Sequence, residues 1–281
     1  MVGVLGVSAS AILVRFSQAP SGVTAAYRLG WTVLLLLPVV LLRCRAELRR
    51  VTARDLVLCG ASGVLLALHF LTWFESLKRT SVASSTVLVS TEVIFTALGF
   101  ALFLHGKIPR LGVWAILLAF GGSALLALSG GGGAGELSGN LLALAAASAA
   151  VYTLIGRIQR GHLSTTVYTF LTYLACFLTL LLGTAAAGTP LTGYGGREWL
   201  IGLALAVLCT LLGHSLFSWC LKYLSPSYVS AAKLCEPVFS SLAAIPLFGE
   251  VPGPLQLAGG AAVLGAVLLY TWAEREKTPA G

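Results

Sequence analysis

The sequence predicts an all-α integral membrane protein of ten transmembrane helices, arranged as two inverted five-helix repeats. Three observations carry this. Of 281 residues, 57% are apolar and only 10% charged, with a mean hydropathy of +0.92, whereas soluble domains carry roughly a quarter charged residues. The apolar residues gather in runs close to the ~20 that a helix needs to cross the hydrocarbon core. The two halves also match at a constant offset of 144 positions: Leu77, Lys78, Ser81, Glu92, Phe95, Leu98, Leu111 and Gly121 recur as Leu221, Lys222, Ser225, Glu236, Phe239, Leu242, Leu255 and Gly265.

Breaks at charged and Gly/Pro clusters place the helices in order. The first runs over 2–17 and stops at the Gln18-Ala19-Pro20-Ser21-Gly22 turn. At 1.5 Å per residue it spans only about 24 Å, so either the native start lies upstream of Met1 or the helix is short. A cleaved signal peptide is the rival reading, but a basic leading region is missing and no soluble domain follows. The second helix, 22–42, ends at the basic stretch that opens with Arg43. The third, 55–76, lies between Arg54 and the Lys78-Arg79 pair, and the fourth, 80–104, has Glu92 at its centre. The fifth, 110–129, ends at Gly130-Gly131-Gly132-Gly133-Ala134-Gly135. The remaining five cover 138–156, 163–187, 199–221, 226–248 and 254–273. The organisation is therefore a first repeat at 1–129, a Gly-rich linker at 130–137, a second repeat at 138–273 and a tail at 274–281.

Basic residues set the orientation, because positive loops stay cytoplasmic. With the N-terminus inside, the inner loops and tail hold Arg43, Arg45, Arg49, Arg50, Arg54, Lys107, Arg110, Arg157, Arg160, Lys222, Arg275 and Lys277, and the outer loops only Lys78, Arg79 and Arg197. Both termini are expected in the cytoplasm, with the chain multi-pass in the inner (plasma) membrane. Five helices per half is odd, so the second half enters from the opposite face. Inverted repeats of this kind build transporters with the substrate site near the midplane.

Other classes fit poorly. The net charge of +8 resides in short loops without interleaved aromatics, which argues against nucleic acid. The six cysteines, Cys44, Cys59, Cys176, Cys209, Cys220 and Cys235, show no metal-ligand spacing and read as small core residues. The glycine run lacks the Lys-Ser/Thr and the preceding strand of a phosphate loop, leaving a flexible linker.

The candidate site starts from Glu92 and Glu236, ionisable groups at membrane depth, which are expensive there and point to function. Pro237 has no N–H and is expected to free the carbonyl of Lys233 and open the ninth helix. Lys233 lies three residues before Glu236, on the same helix face; the two either neutralise each other or serve the substrate together. His69 and His214 form a second pair, one residue off the repeat offset, with Trp73 and Trp219 on about the same helix faces. They line or gate the cavity, or make interhelical hydrogen bonds. Arg15 and Arg28 flank the first outer turn, either as snorkelling anchors or as an anion-attracting vestibule.

The stretches His214-Ser215-Leu216-Phe217-Ser218-Trp219, Leu221-Lys222-Tyr223-Leu224-Ser225-Pro226, Glu236-Pro237-Val238-Phe239, Phe248-Gly249-Glu250 and Gln256-Leu257-Ala258-Gly259-Gly260 resemble the second half of the EamA family of drug/metabolite transporters. Ala26-Tyr27-Arg28-Leu29, His69-Phe70-Leu71-Thr72-Trp73 and Thr80-Ser81-Val82-Ala83-Ser84-Ser85 resemble its first half. Glu92-Val93 stands where the family often has a proline-containing turn, and Gly106-Lys107 where the first repeat usually ends in Gly-Glu. The resemblance covers nearly the whole chain and implies ten helices and export of amino acids or other small metabolites.

The expected protein is thus a secondary-active transporter of a small polar metabolite such as an amino acid, working by alternating access. Its cavity is expected among helices 1, 3, 4, 6, 8 and 9. Glu92, Lys233, Glu236, His69, His214, Trp73 and Trp219 are its candidate substrate-binding or coupling residues, and protons the candidate coupling ion. No cofactor, metal or catalytic residue is expected. Organic cations or drugs are the alternative substrates, and a channel or an intramembrane enzyme the rivals from other classes, although no enzyme motif occurs.

Overall fold

The computed structural model describes residues 2–103, 110–128, 134–146, 149–224, 226, 229, 233 and 235–275. Gly106-Lys107, Gly130 to Gly133 and the tail from Lys277 lie outside the described residues. Among the described residues every regular element is helical: α1 (Val2–Phe16), α2 (Ser21–Arg43), the short α3 (Arg45–Leu48), α4 (Ala53–Arg79), α5 (Val82–Val89), α6 (Glu92–Phe103), α7 (Arg110–Leu128), α8 (Ala134–Ala146), α9 (Ala150–Gln159), α10 (Thr165–Ala186), α11 (Gly196–Ala204), a π-helical stretch (Leu205–His214), α12 (Ser215–Cys220), α13 (Cys235–Phe248) and α14 (Pro254–Arg275). Ala134 to Leu137, which the sequence assigns to the linker, form the first turn of α8.

Seven segments are long and apolar enough to cross a membrane: Ser21–Arg43, Ala53–Arg79, Val82–Phe103, Gly135–Gln159, Thr165–Ala186, Gly196–Cys220 and Pro254–Ala273. Three shorter apolar helices, Gly3–Phe16, Arg110–Leu125 and Glu236–Phe248, accompany them. Hydroxyl caps set several starts. Thr52 and Asp55 form a reciprocal capping box on α4, and Ser81 and Ser164 accept the Ser84 and Val167 N–H groups at the starts of α5 and α10.

The two halves are interleaved. In lipid, close packing of small residues holds helices together, and Gly6 and Gly63 do this across the halves. A Cβ at Gly6 would stand 2.4 Å from the Leu208 carbonyl oxygen, and one at Gly63 2.5 Å from the Ala175 Cβ, so only glycine lets α1 and α4 approach so closely. The main core joins α1, α2, α4, α10 and the π-helical stretch through Ala11, Leu29, Phe70, Phe74, Tyr173 and Cys209. A second core joins α6, α7 and α14 through Ile94, Ala119 and Val267.

Both ends of this bundle are pinned across the halves. At one end Arg15 pairs with Glu250 at 2.7 Å, and Glu250 also accepts the Val82 N–H at 2.8 Å. At the other end Asp55 accepts from His162 at 2.7 Å and from Gln159 at 3.2 Å. The backbone between them is interrupted. α5 stops at Val89 and α6 restarts at Glu92, while in the other half α13 starts at Cys235.

Candidate functional site

The interruptions put both glutamates in the first turn of a helix, where the unpaired N–H groups and the helix dipole favour negative charge. Both glutamates line one small cavity. It is lined by Val7 and Ser10 of α1, His69 and Trp73 of α4, Val89 and Glu92 from the α5–α6 break, His214, Lys233 and Glu236. Its free space is about 30 Å³, enough for a water molecule or two and far below the few hundred Å³ of a metabolite site. As it stands the cavity is too small to hold a metabolite.

Those groups differ sharply in how they are satisfied. Glu92 accepts from Lys233 Nζ at 3.1 and 3.2 Å and from Thr153 Oγ1 at 2.8 Å. Lys233 also lies over the Phe217 ring at 5.6 Å, a favourable place for an ammonium. The spacing in the sequence joins Lys233 to Glu236; in the folded chain it reaches across to the other half and neutralises Glu92. The Glu236 carboxylate accepts no hydrogen bond from the described residues.

Pro237 also departs from expectation. It sits in the first turn of α13, where a missing N–H removes no intrahelical bond. The Lys233 carbonyl is not left free, because it accepts the Glu236 N–H at 2.8 Å. Pro237 lines a separate apolar groove with Ala83 and Gly260 instead of the cavity.

The histidines do come together. His69 and His214 both pack on Phe70, at 5.2 and 5.6 Å between ring centres, and His69 stacks on Trp73 at 5.8 Å. His214 closes the π-helical stretch, whose wider turn takes up an extra residue relative to an α-turn and delivers the histidine to the cavity despite its shifted register. Trp219 is not part of this group. It is 49% exposed and its ring lies against Tyr223.

One lining residue escaped the sequence reading, and one arginine named there sits elsewhere than expected. Ser10 is a small hydroxyl residue in an apolar helix, and nothing in its neighbours singles it out. Arg28 is neither an anchor nor a vestibule residue: it is 0% exposed. Its guanidinium stacks on Phe70 at 4.3 Å, and it donates through Nε to Thr210 Oγ1 at 2.7 Å and through Nη1 to Ser10 Oγ at 3.0 Å. The end-pinning residues Arg15 and Glu250 stand away from the cavity, part-exposed.

Known proteins are similar to this chain over most of its length. The sequence pattern of the EamA-like transporter family matches residues 1–128 and 137–272. The chain is 27% identical over 232 residues to a probable terminal-alkyne amino-acid exporter of Streptantibioticus cattleyicolor, covering 79% of this chain and 75% of that one. It is 25% identical over 209 residues to the pseudopaline exporter CntI of Pseudomonas aeruginosa, covering 73% and 72%. A crystal structure with 19% identity superposes with a TM-score of 0.72 over 97% of this chain and 95% of its own, a likeness of fold. Matched in both halves, and similar to exporters rather than enzymes, this multi-pass membrane protein belongs to the EamA-like transporter family.

Proposed function

We propose that the protein is a secondary-active exporter of a small polar metabolite such as an amino acid, moved by alternating access through the cavity around Glu236. The observation that carries this reading is the Glu236 carboxylate, on a water-sized space lined from both halves and without a hydrogen-bond partner among the described residues. Glu236 is partly exposed into this space, and an ionisable group at membrane depth points to function; a ligand ammonium or a proton suits it.

The rest is consistent. Seven long apolar segments with three shorter ones allow ten passes, and the 144-residue offset between Glu92 and Glu236 supports inverted halves with the basic loops and both termini in the cytoplasm of the inner membrane. The pairs Arg15 with Glu250 and Asp55 with His162 close opposite ends of the bundle across the halves, so opening one while the other holds is a simple route to alternating access. One relative's name carries an amino acid as its cargo. Titration of Glu236 would couple export to protons. Organic cations are the second reading, favoured by the same carboxylate beside the Trp73 and His69 rings.

Proteoliposomes holding the purified protein test this. Saturable amino-acid flux that responds to an imposed pH gradient is expected. Saturable flux of organic cations without amino acids favours the second reading, and ion conductance without saturable solute flux sinks both.

A further inference from the structure

In and beside the cavity, hydrogen-bonding groups of both kinds are unmet among the described residues. Glu236 is an acceptor without a donor. On the donor side, Arg28 Nη2 and Trp73 Nε1 are buried and have no partner among the described residues. Among those residues no carboxylate lies within ion-pair distance of Arg28. An arginine that is fully buried is normally paired, because an uncompensated charge at membrane depth is costly.

Ser10 links this guanidinium to the cavity. Arg28 Nη1 donates to Ser10 Oγ at 3.0 Å, and Ser10 itself lines the cavity. Behind it, Phe70 supports the guanidinium plane, and Thr210, on the π-helical stretch, holds Nε. The fork is thus fixed on three sides, with Nη1 engaged by a replaceable hydroxyl and Nη2 unused. Arginine's planar pair of N–H groups matches a carboxylate in bidentate fashion, which a lysine cannot do.

Resting on the exporter reading above, we propose that Arg28 is the carboxylate-recognition residue of this site, reached when Ser10 yields its hydrogen bond, and that Glu236 takes the ammonium of the same substrate. The substrate class is then a zwitterion of the α-amino-acid type, with Trp73 Nε1–H as a second donor toward the carboxylate. Lys233 is unsuited to that task because Glu92 already holds it.

The test uses counterflow in proteoliposomes with L-threonine, L-leucine, L-phenylalanine and L-lysine, each supplied as the free acid, the carboxamide and the decarboxylated amine. For the wild-type protein at least one free acid should be transported ten or more times as efficiently as its amide and amine. Arg28→Gln and Arg28→Lys should both lower that acid-to-amide ratio at least tenfold, the lysine variant showing that charge alone is not enough. Trp73→Phe should lower it by a smaller factor. Wild-type transport that treats acid, amide and amine alike overturns the assignment even if the Arg28 variants fail to fold. So does an Arg28→Gln protein that keeps the ratio. Saturable flux of amines without their acids overturns it too while leaving a transporter in place; no flux of any of these compounds overturns this assignment and the amino-acid reading together.

Discussion

Glu92 and Glu236 occupy matching places at the 144-residue offset, yet one is saturated with hydrogen-bond donors and the carboxylate of the other has none among the described residues. Both begin a helix after a break, both face the same cavity, and both gain from the exposed N–H groups of a first turn. What separates them is Lys233, which has no basic counterpart at the matching position, Val89. Its ammonium crosses to the other half and settles on Glu92, where Thr153 adds a third hydrogen bond. The matching offset puts two carboxylates at corresponding positions, and a single lysine distinguishes them. On the proposed function, Glu92 holds the halves together and Glu236 serves the substrate.

The largest effect should come from breaking the saturated member. Removing one partner of a buried pair strands the other charge, at about 3–5 kcal/mol. Glu92→Ala should therefore collapse folded yield in detergent and lower the melting temperature by more than any other change at the cavity. Adding Lys233→Met should restore much of that loss. If the double variant is as unstable as the single one, Lys233 is not the partner that matters.

Glu236→Gln should behave in the opposite way. It keeps shape and removes charge and the titratable proton from a carboxylate without a hydrogen-bond donor among the described residues, so the melting temperature should shift little. Flux of a transported amino acid should fall by at least about tenfold, equivalent to roughly 1.4 kcal/mol in binding, and any remaining flux should no longer depend on pH. Near-normal, pH-dependent flux would remove Glu236 from the mechanism and return attention to Glu92 and the histidines.

A smaller effect separates the roles more finely. Thr153→Val deletes one hydrogen bond to a charged acceptor, a contribution of about 1.5–3 kcal/mol, the lower end applying while Lys233 still satisfies Glu92. Thermal unfolding should report a loss at that lower end, with the transport KM unchanged. A raised KM at unchanged stability would mean that Glu92 also touches the substrate.

The repeat made the glutamates legible because identity at one constant offset survives in a single sequence. The helices were legible for a similar reason, since a bilayer demands long apolar runs and leaves charge for the loops. Contacts between halves were not. Three-residue spacing suggested Lys233 with Glu236, but the helix starts only at Cys235, so the spacing rule does not hold across that junction. The break at Ser90-Thr91 carries neither glycine nor proline to announce it. Arg28 read as a surface arginine because it follows a turn closely; its burial depends on Phe70, Thr210 and Ser10, which arrive from three other segments.

The aromatic pair gives the smallest and most discriminating prediction. Trp73 and Trp219 follow His69 and His214 at similar spacing, and strict symmetry between the halves would give them the same task. The fold does not. Trp73 is buried, stacks on His69 and lines the cavity, its indole N–H without a partner among the described residues, whereas Trp219 is half-exposed beside Tyr223, as expected of an amphipathic ring near a membrane interface. Phenylalanine retains the ring and removes the N–H in each case. Trp73→Phe should raise KM for a transported amino acid several-fold, because a buried donor lost to the ligand is worth about 1 kcal/mol. Trp219→Phe should leave KM within experimental scatter, with at most a slight change in reconstitution yield. Equal effects on KM would mean that the cavity extends to Trp219 when the protein opens, and that the asymmetry between the halves belongs to the closed state alone.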